Sequence, residues 1–481
     1  MKKVISVLLI LIMVLSLCAC SGEKKPAAAQ PKEFRVGYSR VNITPNYSVP
    51  LAGYGNTARR MNQGFISYIY TTCIAITDTD DSTVLLFTSD MLGVNKELTA
   101  AFRKSISEAT GVSEERIMLT CTHSHSGPDI WSSEPIMSRY REDYTQYLIT
   151  AAKEALDDRS AATIETGVSH TEQLSFVRHY TTTSGELYGA NLTLNGSITG
   201  HTSEPDNEIQ IIRFVRAAKD KKDILAINWQ AHAKLDSDGE TEEGKMNRPM
   251  LSADYIGAAR DYVEANSDVL FAFYLGAAGN LSANSKDAKE NASTKCAEYG
   301  ALLGGHILDG MKNMTAVDSA NAKVVVSQQT YNAKIDHTED TKVIDAQKIY
   351  DVWSSTNNYN EAMALATGTD IHSPYHASSI LSRSRISEET LPLELNAIRV
   401  GPIGFVTAPY EMFDVSGMAI KDGSPFETTF VMTCANGYYN YIAAEYAFAG
   451  RGTYEVHNRT FVQGTAEDLV STFVDMLTAL N

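Results

Sequence analysis

The stretch IMLTCTHSHSGPD, residues 117–129, decides how the rest of the chain is read. Apolar and β-favouring residues run into two histidines two apart, and Gly127-Pro128 then stops the strand. Side chains at i and i+2 of a strand point the same way. The spacing therefore predicts that His123 and His125 share one face at a strand's end, one able to bind a metal and the other to move a proton. Upstream, TVLLFTSD (residues 83–90) reads as a buried strand. Leu98, Phe102, Ile106 and Ala109 then fall on one helical face, and Gly111 can cap that helix. Strand, helix and strand with short joins make a βαβ unit, which implies a parallel pair.

Further apolar strands are predicted at residues 223–231, 269–276 and 428–435, with a hairpin over 396–408 around Gly401-Pro402. Helices are predicted at 251–265, at 294–314 and from Ala466 to the C-terminus. There is no internal repeat. The fold class this implies is mixed α/β: partly parallel β-sheets flanked by helices, with a site built from loops at the C-terminal ends of strands. Residues 336–390 are polar and Ser/Thr-rich, and read as an insertion or cap. Polar residues follow the strands one after another. His123 and His125 come first, then His232, Ser282, Glu411 and Tyr441. Ligands in open α/β sheets sit beyond such strand ends, so the series reads as one site.

The first residues give an address. Lys2 and Lys3 precede an apolar run, and Leu17-Cys18-Ala19-Cys20 closes it. That is a signal peptide over residues 1–19, ending in a sequence similar to a bacterial lipobox. Cys20 would become the lipidated first residue, with a flexible tether to residue 33 and one catalytic domain over 34–481. The expected location is outside the cytoplasm, anchored to the bacterial cell membrane by that lipid alone. The formal charge is −17, and removing Lys2 and Lys3 makes it −19. A surface so acidic repels phosphate backbones and argues against nucleic acid as a partner. The remaining cysteines, Cys73, Cys121, Cys296 and Cys434, are far apart and form no CxxC motif. They read as buried free thiols, with a disulfide left open.

Two metal-hydrolase patterns do not fit. A metallo-β-lactamase places Asp and a third His directly after His-x-His, whereas Asp129 is misplaced and no His follows it. A metal-dependent TIM-barrel hydrolase puts His-x-His on its first strand, whereas at least two strands precede it here.

The combined motifs resemble another family. THSHSGPD (residues 122–129) is similar to the THTHSGPGG of neutral ceramidases, and NWQAHAK (228–234) to their NWFATHGTS. GNLSAN (279–284) resembles GDVSPN, and APYEMF (408–413) resembles PAEFT. YIAAEYAFAGRGTYE (441–455) resembles YITTREEYAIQHYE; RVNITP (40–45) and LSFVRH (174–179) match weaker segments. Order and rough spacing agree from about Phe34 onward. The chain thus resembles the catalytic domain of the neutral, non-lysosomal ceramidase family.

That resemblance implies a zinc ion (Zn2+) held by His123, His232, Glu411 and Tyr441. It implies His125 and Tyr454 beside the metal for hydrogen bonding and proton transfer, Arg178 as the active-site arginine, and Ser282 as the family's proposed nucleophile. The expected activity is cleavage of an N-acyl amide bond, with a small molecule or a ceramide-like lipid as substrate. The alternatives are a zinc hydrolase of another amide or ester, and a non-catalytic binding lipoprotein of the same fold. The sequence departs from the pattern at Asn280 (Asp in the family), at Ala283 (Pro) and at Ala233-Lys234 (Gly-Thr). Zinc makes hydroxide at neutral pH without help, whereas an unactivated serine is a weak nucleophile, so attack by water is favoured over attack by Ser282.

Overall fold

A computed structural model describes residues 33–54, 60–189, 192, 194–238, 249–319 and 322–481. The signal peptide, Cys20 and nearly all of the tether lie outside the described residues. Among those described, no helix is long and apolar enough to cross a membrane.

The βαβ unit read from the sequence is present. Strands Thr83–Ser89 and Ile117–Cys121 pair in parallel, joined through the helix Lys96–Thr110. The helix starts where the Asn95 side chain accepts the Leu98 N–H, and stops at Gly111, whose φ of 76° suits a residue without Cβ. A second parallel pair joins Asp223–Trp229 to Val269–Leu275, and a third joins Ile403–Thr407 to Thr428–Met432. The expected hairpin exists, with Thr390–Val400 antiparallel to Ile403–Thr407.

The first two pairs belong to one nine-stranded sheet, and the third to a four-stranded sheet. The large sheet bends where Arg35–Asn42 meets Ser160–His170 at only two paired positions. Its two halves then face each other. Thr88 Oγ1 donates to the Phe273 carbonyl at 2.7 Å, and the hydroxyls of Tyr38 and Tyr274 reach Phe271 and Leu86 carbonyls across the same seam. Ile74, Leu86, Ile212, Tyr274, Phe405 and Phe430 fill the space between the halves and the small sheet. Asn228, buried in the strand before His232, bonds the backbone of both Tyr274 and Val431 and so ties the two sheets together. All three parallel pairs therefore end at one edge of the molecule.

Residues 335–389 leave the small sheet after Lys334 and return at Thr390, which are paired positions of one antiparallel ladder. Between them, helices Val343–Thr356, Tyr359–Ala364 and Pro374–Arg383 gather around Ile349, Trp353, Ile371 and Ile380. Three histidines dock this helical layer onto the short helix Tyr454–His457. The rings of His376 and His457 lie 4.5 Å apart and 13° from parallel, and His372 lies 4.5 Å from His457. Glu339 holds the layer from behind by binding His376 at 3.0 Å and Arg383 at 2.5 Å.

Cys73, Cys121, Cys296 and Cys434 are all free thiols, and only Cys296 is not fully buried. Burial pushes their pKa values up.

Candidate active site

The two histidines of THSH come together by a route other than the one the sequence suggests. The strand ends at Cys121, and His123 adopts a left-handed conformation with φ of 60°. The shared face is thus made by a turn, not by the i, i+2 alternation of a strand. A non-glycine residue held there carries backbone strain of about 1–3 kcal/mol and persists only where its surroundings fix it. The Leu92 carbonyl does so by accepting from His123 Nδ1 at 3.0 Å. Cys434, which packs its sulfur 3.6 Å from the same nitrogen, is itself left-handed, as are Asn436 and Asn440. The turns carrying the site thus share a conformation that hydrophobic periodicity does not encode.

His232 follows the strand Asp223–Trp229 and points its Nδ1 at the Ala278 carbonyl, 2.8 Å away. A carbonyl only accepts, so Nδ1 carries the proton in both His123 and His232. Each Nε2 is left as a lone pair. Both face one carboxylate oxygen, Glu411 Oε2, at 3.3 Å and 3.1 Å. His123 Nε2 and Glu411 Oε2 are buried and have no hydrogen-bond partner, although they are in contact. Three lone-pair donors meet with no hydrogen between them, which is the chemistry of a cation site. The other oxygen of Glu411 accepts from the Tyr438 hydroxyl, which fixes the carboxylate.

His125 completes the cluster. Its ligand atom lies with those of His123 and His232 inside 4.8 Å, and neither ring nitrogen has a hydrogen-bond partner. Burial first, then the facing His123 and His232, hold its pKa well below the ordinary histidine value. Burial and Arg178 lower His232 to about 4.

Arg178 lies behind His232. Nε donates to Glu455 Oε1 at 2.6 Å, and Nη2 to the Gly279 carbonyl at 2.8 Å and the Tyr441 hydroxyl at 3.3 Å; Nη1 is 3.4 Å from His232 Nε2. Glu455 also holds His179 at 2.7 Å. Burial opposes the Arg178 charge, but Glu455 keeps it fixed. Tyr441 pairs with Glu411 across a two-residue parallel bridge, and Tyr454 packs edge-on against it at 5.8 Å. Burial drives both phenols up in pKa, so both stay neutral O–H donors.

Ser282 sits apart. Its backbone bridges to that of His232, while its hydroxyl accepts the Asn284 N–H at 3.3 Å. Among the described residues, no imidazole or carboxylate hydrogen-bonds it. Asn280 shows why an amide replaces the expected acid. It donates to Asp414 Oδ1 at 2.6 Å and accepts the Asp414 N–H, where an aspartate would set two buried carboxylates together.

A cavity of about 260 Å³ opens above the cluster, walled by His123, His125, Glu411, Tyr441 and Tyr454 among others. Three larger surface depressions, of about 360, 420 and 460 Å³, contain none of the candidate residues. Sequence reasoning missed Tyr438, Glu455 and His179. It also missed the aromatic walls Tyr54, Trp131 and Tyr375. Each of the first three stands close to a predicted site residue: Tyr438 three positions before Tyr441, Glu455 directly after Tyr454 and His179 directly after Arg178.

No family model matches the sequence, and no curated protein matches it. Solved structures do. A neutral ceramidase from Pseudomonas aeruginosa superposes with a TM-score of 0.67 at 16% identity, over 93% of this chain and 74% of that one. A structure described as a ceramidase complexed with C2 gives 0.64 at 16% identity, over 93% and 75%. The chain therefore has the neutral ceramidase fold.

Proposed function

We propose that this protein is a zinc-dependent amidohydrolase that cleaves an N-acyl amide bond. The observation that carries the reading is the meeting of His123 Nε2, His232 Nε2 and Glu411 Oε2 with no hydrogen bond among them. Two imidazoles and a carboxylate are a catalytic zinc set, and they leave the remaining position open. Tyr441 stands beside them as a neutral phenol and would complete the set as a weak contact. A zinc ion held there would polarise the amide carbonyl and acidify a water.

The side chains supply the rest. His125, neutral and with both ring nitrogens unengaged, takes a proton from the attacking water and returns it to the departing amine nitrogen. Tyr441 and Tyr454 donate O–H groups to the oxygen that gains charge; one such donor is typically worth about 10²–10³ in rate. Arg178 orients Tyr441 and adds positive potential from behind His232. Tyr438 fixes Glu411, and the Leu92 and Ala278 carbonyls fix the imidazole tautomers. Among the described residues, no imidazole or carboxylate hydrogen-bonds the Ser282 hydroxyl, which supports water as the nucleophile.

The leader supports an extracytoplasmic lipoprotein anchored through Cys20. Cys20→Ser should release the protein from the membrane fraction, and continued membrane retention would refute the anchor. A ceramide-like lipid is the substrate expected from the family resemblance. The test of function is metal analysis with turnover. Purified protein should hold about one zinc per chain and release amine from N-acyl substrates, and a chelator should abolish the release. Metal-free protein with undiminished activity would overturn the reading.

A further inference from the structure

The cavity over the histidines has walls of unusual chemistry for a lipid site. Trp131 stacks on Tyr438 at 5.3 Å, and Tyr438 lies over His123 at 6.1 Å. On the other side Tyr54 meets His125 edge-on at 5.3 Å. Tyr375 meets Tyr454 edge-on at 6.3 Å, and Tyr454 meets Tyr441. Between these rings the wall carries Asp129, Asn440 and Asn458. Among the described lining residues, Leu92 is the one aliphatic side chain larger than alanine.

An alkyl chain gains by leaving water for continuous apolar surface, and loses where its walls present polar groups that it cannot bond. Here the walls are phenols, an indole, carboxamides and a carboxylate. Tyr and Trp offer an apolar face and a polar tip, so they suit a ligand with C–H faces and hydroxyl edges. Asn and Asp supply donors and acceptors to such hydroxyls. The volume, about 260 Å³, lies below the roughly 300–1,000 Å³ of drug-sized ligand sites. Walls of this kind fit a polyhydroxylated occupant.

Tyr375 comes from the helical layer and from none of the strand-end loops. Its helix, Pro374–Arg383, is started by Ser373, whose side chain accepts the His376 N–H at 3.0 Å. The layer is held over the cavity by the His372–His376–His457 stack and by Arg383, which bonds the Arg459 carbonyl at 2.7 Å. Trp353 packs against the Tyr375 ring at 5.0 Å and sets its position.

We infer that this site takes a compact, hydroxyl-rich N-acyl compound with a short acyl group, an N-acetylated amino sugar in chemical class, and that Tyr375 touches it. The inference rests on the amidohydrolase reading for its turnover arm and is independent of that reading for its binding arm.

The experiment uses zinc-loaded mature protein and three probes with one amine: N-acetyl-, N-hexanoyl- and N-lauroyl-glucosamine. Amine release should fall by about 10²-fold in kcat/KM from acetyl to lauroyl. Tyr375→Ala should raise KM for the acetyl probe about 10-fold with kcat within about twofold, whereas Tyr375→Phe, which keeps the ring, should stay within about threefold in KM. Thermal melting of both variants checks that the layer still docks. Calorimetric titration of chelator-treated protein with N,N′-diacetylchitobiose gives binding without turnover, and Tyr375→Ala should weaken it about 10-fold. Turnover of the lauroyl probe equal to or above that of the acetyl probe would overturn the inference, as would unchanged binding and KM in Tyr375→Ala. If no probe is cleaved but chitobiose binds and Tyr375→Ala weakens it, the amidohydrolase reading falls and the ligand class stands. If chitobiose does not bind and N-acyl sphingosine is cleaved, the ligand class falls and the amidohydrolase reading stands.

Discussion

The molecule contains two histidine trios, each with one glutamate and an arginine close by. They are opposites in geometry. In the first, His123 stands 80° from His125 and 86° from His232, so the rings meet edge to face and their nitrogens converge. In the second, the rings of His372, His376 and His457 lie within 31° of parallel and 5.7 Å of one another. Their nitrogens point outward, with His376 Nε2 on Glu339 and His457 Nε2 on the Arg451 carbonyl. The first trio qualifies as a metal group and the second does not. A count of histidines and carboxylates would rank the two alike. Ring orientation separates a ligand cage from a stack that docks one layer on another.

Mutating the two trios in parallel is the strongest way to break this comparison. His232→Ala or His123→Ala should strip the metal and remove turnover by about 10³-fold or more, because an open catalytic site cannot spare one of three strong ligands. His376→Ala and His457→Ala should keep the metal. Metal analysis of the four proteins decides it, and metal loss in the second pair as well would erase the distinction. His125→Ala comes next. It should keep the metal and lose about 10²-fold in turnover. Loss of metal equal to that in His123→Ala would make His125 a ligand, which its placement inside the same 4.8 Å group leaves as the sharp alternative.

Smaller effects refine the same contrast. Ser282→Ala should lose about 10- to 100-fold and accumulate no acyl-enzyme. Intact-protein mass spectrometry during turnover of a slow ester checks this; an acyl mass on the wild type alone would move the nucleophile from water to Ser282. The least effect belongs to acid and to the stacked trio. Burial, then the neighbouring His376, pushes His457 down to about 3, and burial lowers His372 and His376 too. The charges facing them are Glu339, Asp370, Lys342, Arg383 and Arg451. A histidine with a depressed folded pKa sheds its proton on folding. Its contribution is whole above about pH 6.5 and is lost as the pH falls from there toward about 3. Amide exchange in Pro374–Arg383, corrected for its intrinsic pH dependence, should therefore quicken over that window. His457→Phe should flatten the change.

Legibility followed sequence distance. The helix ending at Gly111, the hairpin at Gly401-Pro402 and the parallel pair of the βαβ unit come from periodicity and turn residues, which place the strands of the other two parallel pairs without pairing them. The strand-end rule then gathered His123, His232 and Glu411 on one edge. It could not supply the conformation of His123, because a left-handed turn leaves no trace in an apolar pattern. Nor could it pair Arg178 with Glu455, 277 positions away, or set Tyr438 on Glu411. The docking of Tyr375 over the site depends on ring stacking between the helical layer and the final fifth of the chain, which no local signal announces.

The left-handed turn at His123 has a consequence in time. Its neighbour Cys434 is 311 positions later in the chain, with Glu411 and Tyr438 on either side of that cysteine. At about 5–20 residues per second, some 15–60 s of synthesis separates the two. Throughout that interval the growing chain displays imidazoles with neither the carboxylate nor the packing that hold them together. On the proposed zinc reading, metal loading waits for Glu411, and a chain truncated before that residue should leave the ribosome unable to compete for zinc.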